Sequence, residues 1–160
     1  MIRLNLWAKI SIAVVVCLLV GFLSGLSTAE SIETWYAYLE KPFFNPPDWI
    51  FAPVWTALYI LMGLAVAIIW HQGWSNQAVQ NAVMIFLAQL ILNATWSVVF
   101  FGMQSTMGAL VIILILWTLI LICIRRFLRI KKFAAYLMVP YFLWVSFATV
   151  LNASIVYLNQ

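Results

Sequence analysis

The chain alternates long apolar runs with short polar breaks, and the spacing of the breaks predicts its architecture. A helix needs about 20 mostly apolar residues to cross the hydrocarbon core of a bilayer. The first such run opens at Lys9 and lasts to Ser27, predicting a span over residues 9–27. It exceeds the apolar region of a secretory leader, about 7–15 residues, and no small-x-small cleavage pattern leads into a soluble domain, so it reads as a retained helix. A polar stretch follows from Thr28 to Pro47, holding Glu30, Glu33, Glu40 and Lys41. The second span is predicted over 47–70. Pro47 suits a first helical turn, where its missing N–H would be unpaired anyway, and Asp48 suits the positive end of the helix dipole.

From Trp49 to Ile124 there is no Asp, Glu, Lys or Arg. A run of that length must be cut by turns. His71-Gln72-Gly73-Trp74-Ser75-Asn76-Gln77 makes one cut and Gly102-Met103-Gln104-Ser105-Thr106 the next, predicting spans over 78–101 and 107–124. The basic stretch Arg125-Arg126-Phe127-Leu128-Arg129-Ile130-Lys131-Lys132 makes the third, and the last span is predicted over 133–157. Pro140 within it predicts a kink, tolerable if neighbours satisfy the freed carbonyl. The fold expected is an all-α integral membrane protein, a five-transmembrane-helix bundle forming one domain over 1–160.

Composition agrees. Hydrophobic residues make up 67% and charged residues only 8%, against about 25% charged in an ordinary soluble domain. Lipid must be the solvent for most of the surface. The net charge of +4 comes from clustered basic residues, which points to membrane orientation rather than nucleic acid. With five spans, Arg3, Lys9, Arg125, Arg126, Arg129, Lys131 and Lys132 share one face, and all four acidic residues fall in or beside the first loop on the other. The positive-inside rule then predicts a cytoplasmic N-terminus and an outside C-terminus.

Charge-free spans weigh against proton pumping, ion-coupled transport and voltage sensing, which place ionisable groups at depth. They weigh equally against general acid–base hydrolysis. His71, the single histidine, sits at a helix end as an interfacial residue. Cys17 and Cys123 lie in apolar runs with no CxxC spacing and read as small apolar residues, so no metal site is expected.

What remains is aromatic and amide chemistry. Of nine tryptophans, Trp7, Trp70 and Trp74 sit at predicted helix ends, as an interfacial belt would. Trp55, Trp96, Trp117 and Trp144 lie deeper, where indoles either pack and meet lipid or wall a pocket for a flat aromatic ligand. Gln89, Asn93, Thr95 and Ser97 fall in the third span and Asn152 in the fifth. Gln89 and Asn93 share a helix face, with Trp96 within one turn. Interhelical hydrogen bonding and ligand binding both suit such amides. Gly21-x-x-x-Gly25 is a small-xxx-small pattern that permits close helix approach. The first loop, Trp35 to Trp49, holds three prolines and six aromatics. So stiff and apolar a loop is expected to fold back over the bundle as a lid.

At this loop the sequence becomes recognisable. Trp35-Tyr36, Leu39-Glu40-Lys41-Pro42, Asn45-Pro46-Pro47-Asp48-Trp49-Ile50-Phe51 and Pro53-Val54-Trp55-Thr56-Ala57-Leu58-Tyr59 carry the likeness. So do Gln89-Leu90-x-x-Asn93-x-x-Trp96, Phe100-Phe101-Gly102-Met103, Val139-Pro140-Tyr141-Phe142-Leu143-Trp144 and Phe147-Ala148-Thr149-x-Leu151-Asn152. Through them the chain resembles the translocator protein family, also called tryptophan-rich sensory protein or peripheral-type benzodiazepine receptor, and within it a bacterial member. The resemblance implies a five-helix membrane protein, commonly a homodimer, that binds porphyrins, haem precursors, sterols and benzodiazepine-type ligands in a pocket beneath the first loop. Carried over by motif, the pocket residues are Trp55, Asn93, Trp144, Ala148 and Asn152, with Gln89 and Trp96 from the third-span motif and Trp35, Trp49 and Tyr59 as rim or wall. Ala148 matches a position known in the family for a ligand-altering alanine-to-threonine change; a small residue leaves room there. The animal members' proposed cholesterol motif is broken, because Ala153 stands where its tyrosine would fall and no basic residue follows Tyr157. That speaks against sterol binding.

Three functions are implied. The first is a membrane receptor, sensor or transporter for porphyrins and related tetrapyrroles, with lipid and a second copy as further partners and no required cofactor. The second is a light-dependent porphyrin-degrading enzyme, for which Trp55 and Trp144 are the candidate residues. The third, suggested by Gly21-x-x-x-Gly25 and not by the resemblance, is a helper protein that docks another membrane protein through helix–helix contacts at that small-residue face.

Overall fold

The computed structural model describes residues 4–159, so Arg3, counted above for orientation, lies outside the described residues, as does the Glu30 side chain. Among the described residues, five helical stretches are long and apolar enough to cross a bilayer: Leu6–Leu26, Asp48–His71, Gln77–Gly102, Thr106–Ile130 and Lys132–Leu158. Among the described residues there is no strand.

Helix α1 covers Leu6–Thr34 and is opened by Asn5, whose side-chain oxygen accepts the Ala8 N–H at 2.8 Å. It passes the end expected near Ser27 because a carboxylate ends a hydrocarbon span without ending a helix. Tertiary hydrogen bonds hold the extension. Thr28 Oγ1 lies 2.9 Å from Ser97 Oγ, and Ser31 Oγ donates to the Phe101 carbonyl at 2.8 Å. A short 3₁₀ turn at Tyr36–Tyr38 follows, then an irregular stretch and a second 3₁₀ turn at Asp48–Ile50. Helix α2 proper is Phe51–His71, so the expected start at Pro47 is a single tight turn before the α-helix.

Gly73, at φ 116°, makes the turn into α3, a left-handed conformation that costs glycine nothing. Helix α3 is Gln77–Ser97, opened by Asn76, which accepts the Ala78 N–H at 2.9 Å. It widens into a π-helical turn, Val98–Gly102, closed by the Met103 N–H on the Val98 carbonyl at 2.9 Å. Helix α4 is Thr106–Ile130. It does not stop at Ile124 as expected but runs through the arginines, which are good helix formers and suit the negative end of the dipole.

The fifth span is two helices. Helix α5 is Lys132–Leu137 and α6 is Val139–Leu158, joined at Met138. Pro140 therefore sits in the first turn of α6, and the expected kink falls just before it. The cause is steric: proline has no N–H to donate and its ring collides with the carbonyl four residues back.

Small residues set the closest approaches. A Cβ at Gly63 would lie 2.6 Å from Val14 Cα, so α1 and α2 meet backbone to backbone there. Ala65, Ala67, Ala82, Ala134 and Ala135 are fully buried around Met62, Phe86, Phe127 and Tyr141. Outward faces carry Val15, Leu19, Leu23, Ile91, Val111 and Leu114, all exposed, as lipid-facing positions should be. At one end of the bundle the Lys9 ammonium lies 5.1 Å from the Trp70 ring centre and 3.4 Å from the Trp70 carbonyl. The loop between α1 and α2 covers the other end.

Candidate ligand cavity

Beneath that loop, α1, α2, α3 and α6 enclose a cavity of about 550 Å³. Sites for drug-sized ligands span about 300–1,000 Å³. Trp55 and Tyr59, one turn apart on α2, face it with ring centres 5.7 Å apart. From α6 come Trp144, Ala148 and Asn152, spaced by four and so on one helix face. Phe51 meets the Trp144 ring edge-on at 6.0 Å. Asn93 and Trp96 come from α3. The π-turn matters here, because its extra residue rotates the chain. Both Phe100 and Phe101 line the cavity as a result, with Trp96 stacked on Phe100 at 5.3 Å.

The loop is pinned as a roof. Buried Tyr36 donates its hydroxyl to Asn45 Oδ1 at 2.8 Å, and the Lys41 ammonium lies 4.7 Å over its ring. Burial, and then the negative charge of Asp48, push the Tyr36 hydroxyl up to about 12, against the opposing hydrogen bond to Asn45. Phe44 meets Phe147 of α6 edge-on at 6.2 Å. Asn159 then clasps the loop to the end of α6. Its Oδ1 accepts the Glu40 N–H at 3.0 Å and its Nδ2 donates to the Glu40 carbonyl at 2.9 Å.

The cavity's amides are engaged with protein. Asn152 Oδ1 accepts the Trp96 indole N–H at 3.2 Å while its Nδ2 donates to the Thr106 carbonyl at 3.0 Å. Asn93 Oδ1 accepts the Tyr59 hydroxyl, and its Nδ2 donates to the Tyr141 oxygen at 3.2 Å. The Tyr141 hydroxyl donates onward to Gln89 Oε1 at 2.8 Å. The indole N–H groups of Trp55 and Trp144 have no protein acceptor among the described residues. Asp48 is the one charged residue among the lining residues. An apolar, aromatic space walled by indole and phenyl rings is what the geometry offers a ligand.

The cavity thus gathers seven of the residues singled out in the sequence: Trp55, Tyr59, Asn93, Trp96, Trp144, Ala148 and Asn152. Three others lie elsewhere. Trp35 is not in the lining; it backs the wall from behind, edge-on to Phe100 at 5.5 Å. Trp49 is 75% exposed, turned outward by the 3₁₀ turn that holds it. Gln89 is wholly buried, one turn deeper than Asn93, and reaches Tyr141 instead of the cavity. Tyr36, Phe51, Phe100 and Phe101 line the cavity without having been singled out as site residues. The aromatic loop composition and the Phe100-Phe101-Gly102 motif were the available signals.

The two glycines of Gly21-x-x-x-Gly25 both face this space. A Cβ at Gly21 would lie 2.4 Å from Tyr59 Cε2, whereas one at Gly25 would meet nothing within 4 Å.

A family model described as the TspO/MBR family matches residues 13–158. The chain belongs to this family. It is 45% identical to the tryptophan-rich protein TspO of Chlorobaculum tepidum over 94% of this chain and 95% of that one. With the protein of the same name from Archaeoglobus fulgidus it shares 40% identity over 94% and 97% of the two chains. With the translocator protein of Bos taurus the identity is 37% over 82% and 79%. The chain is a multi-pass integral membrane protein, and family membership gives it a membrane sensor or receptor role.

Proposed function

We propose that the protein binds porphyrins and related tetrapyrroles, and with them benzodiazepine-type ligands, in the roofed cavity, and acts through that binding as a sensor or transporter. The observation that supports this reading is the cavity itself: about 550 Å³, walled by Trp55, Trp96, Trp144, Phe51 and Phe100, with Asp48 the only charged residue among the described lining. A flat, mostly apolar molecule matches such walls by stacking, and the indole N–H groups of Trp55 and Trp144 supply directional donors. The protein sits with its N-terminus in the cytoplasm, so the roof faces outside; the basic residues at the α4–α5 junction support this orientation.

Titration of the purified protein with protoporphyrin tests the binding reading. Saturable quenching of tryptophan fluorescence is expected, weakened in both Trp55→Phe and Trp144→Phe. Absence of quenching, or quenching unchanged in both variants, refutes it.

A further inference from the structure

The buried hydrogen bonds behind the cavity run in one direction. Tyr59 donates to Asn93, Asn93 to Tyr141, and Tyr141 to Gln89. Each step uses a hydroxyl or an amide, and each of these groups can both donate and accept. The chain ends badly. Gln89 Nε2 is fully buried and has no hydrogen-bond partner among the described residues. An orphaned buried N–H is rarer and costlier than an under-used carbonyl oxygen.

The opposite direction repairs that end. With the Gln89 amide turned over, Nε2 donates to the Tyr141 oxygen. The Tyr141 hydroxyl then donates to Asn93 Oδ1, and the turned Asn93 amide donates to the Tyr59 oxygen. Every donor atom of the chain now makes a bond except the Tyr59 hydroxyl, and Tyr59 and Asn93 both line the cavity. Each arrangement thus strands one donor, Gln89 Nε2 in the forward direction and the Tyr59 hydroxyl, beside the cavity, in the reverse. An occupant that brings an acceptor favours the reverse.

We propose that Tyr59 is a specificity-determining donor, and that a ligand acceptor such as a carbonyl oxygen reverses the Tyr59–Asn93–Tyr141–Gln89 chain. The proposal rests on the reading of the cavity as a site for a flat apolar ligand, and not on that ligand being a tetrapyrrole. Hydroxyls rotate and amides turn; no proton changes owner. A ligand without an acceptor gains nothing from reversal and leaves the chain as it is. Because the chain joins α2, α3 and α6, reversal reports occupancy to three helices at once.

The test uses two flat tricyclic probes of matched shape, 9,10-anthraquinone with its carbonyls and anthracene without. Both are titrated into the full chain in lipid nanodiscs. The anthraquinone-to-anthracene affinity ratio is expected to fall roughly tenfold in Tyr59→Phe, the worth of one good net hydrogen bond. Retained anthracene binding by that variant shows its fold is intact. The ratio cancels the probes' different partitioning into lipid. The competing donors are Trp55 and Trp144, so a ratio lost in Trp55→Phe or Trp144→Phe but kept in Tyr59→Phe overturns the proposal. Binding of neither probe overturns it too.

Infrared spectroscopy reads the reversal itself. Anthraquinone should shift the Gln89 side-chain carbonyl band upward as Oε1 loses the Tyr141 donor; anthracene should not. The band is assigned by its loss in Gln89→Leu, or with labelled glutamine in heavy water, since Gln89 is the one buried glutamine among those described. No anthraquinone shift means no reversal. A protein that passes these tests but never binds protoporphyrin would sink the tetrapyrrole reading alone.

Discussion

Gly21 and Gly25 look interchangeable in the sequence, and the structure predicts opposite fates for them. An added Cβ at Gly21 falls 2.4 and 2.5 Å from two carbons of the Tyr59 ring. The ring cannot yield easily. Its hydroxyl is held by Asn93 and its face lies against Trp55 at 5.7 Å. Gly21→Ala must therefore push α1 away or tear Tyr59 from Asn93. Overpacking costs about 1–3 kcal/mol, and losing a buried hydrogen bond adds about 1 kcal/mol. A total near 3 kcal/mol corresponds to a fall of about 6–12 °C in apparent Tm for a chain of this size. Gly25→Ala meets open space, so it should lose nothing and gain up to about 1 kcal/mol from removing a helical glycine. The assay is thermal unfolding in one detergent at one scan rate, followed by size exclusion. Equal Tm values for the two variants, or Gly25→Ala as the less stable, would refute the reasoning.

Other outcomes follow from the same contacts. Asn159→Ala removes both bonds to the Glu40 backbone, so hydrogen exchange at the Glu40 amide should rise about tenfold while α2 and α4 stay protected. Asn152→Leu strands the Trp96 indole N–H and should cost about 1–3 kcal/mol; adding Trp96→Phe, which removes the other partner, should recover part of the loss in Tm. Tyr36 is held protonated when folded, to about 12 against an ordinary value near 10. Stability is therefore intact below pH 10 and falls as pH rises from about 10 towards 12, because the unfolded chain deprotonates first. Tyr36→Phe should flatten that slope in a Tm-versus-pH series.

The spans were legible because a bilayer imposes a length, and charges mark where hydrocarbon stops. Helix ends were less so. Glu30 and Glu33 bound the first span but not α1, and Arg125 to Arg129 bound the fourth but not α4. The lid was legible from its aromatics and prolines. Trp49 misled, since the same residue type serves both rim and water-facing turn. The amides were legible as inward-facing, but their partners were not. Whether Asn93 and Asn152 serve a ligand or a neighbour depends on Tyr59, Tyr141, Trp96 and Thr106, which come from distant parts of the chain. The π-turn that brings Phe100 and Phe101 into the cavity has no sequence signature to read.

Helix α1, at 29 residues, is about 43 Å long, against about 30 Å of hydrocarbon. Its last turns stand clear of the acyl chains, tied by Ser31 to the end of the third span. The roof is therefore carried on a rigid post whose foot is set by where the hydrophobic span floats. A thicker membrane draws that post inward and brings headgroups level with the Tyr36–Asn45 latch; a thinner one lifts the latch into water. The same cavity would then present its mouth to phospholipid headgroups in one membrane and to bulk solvent in another.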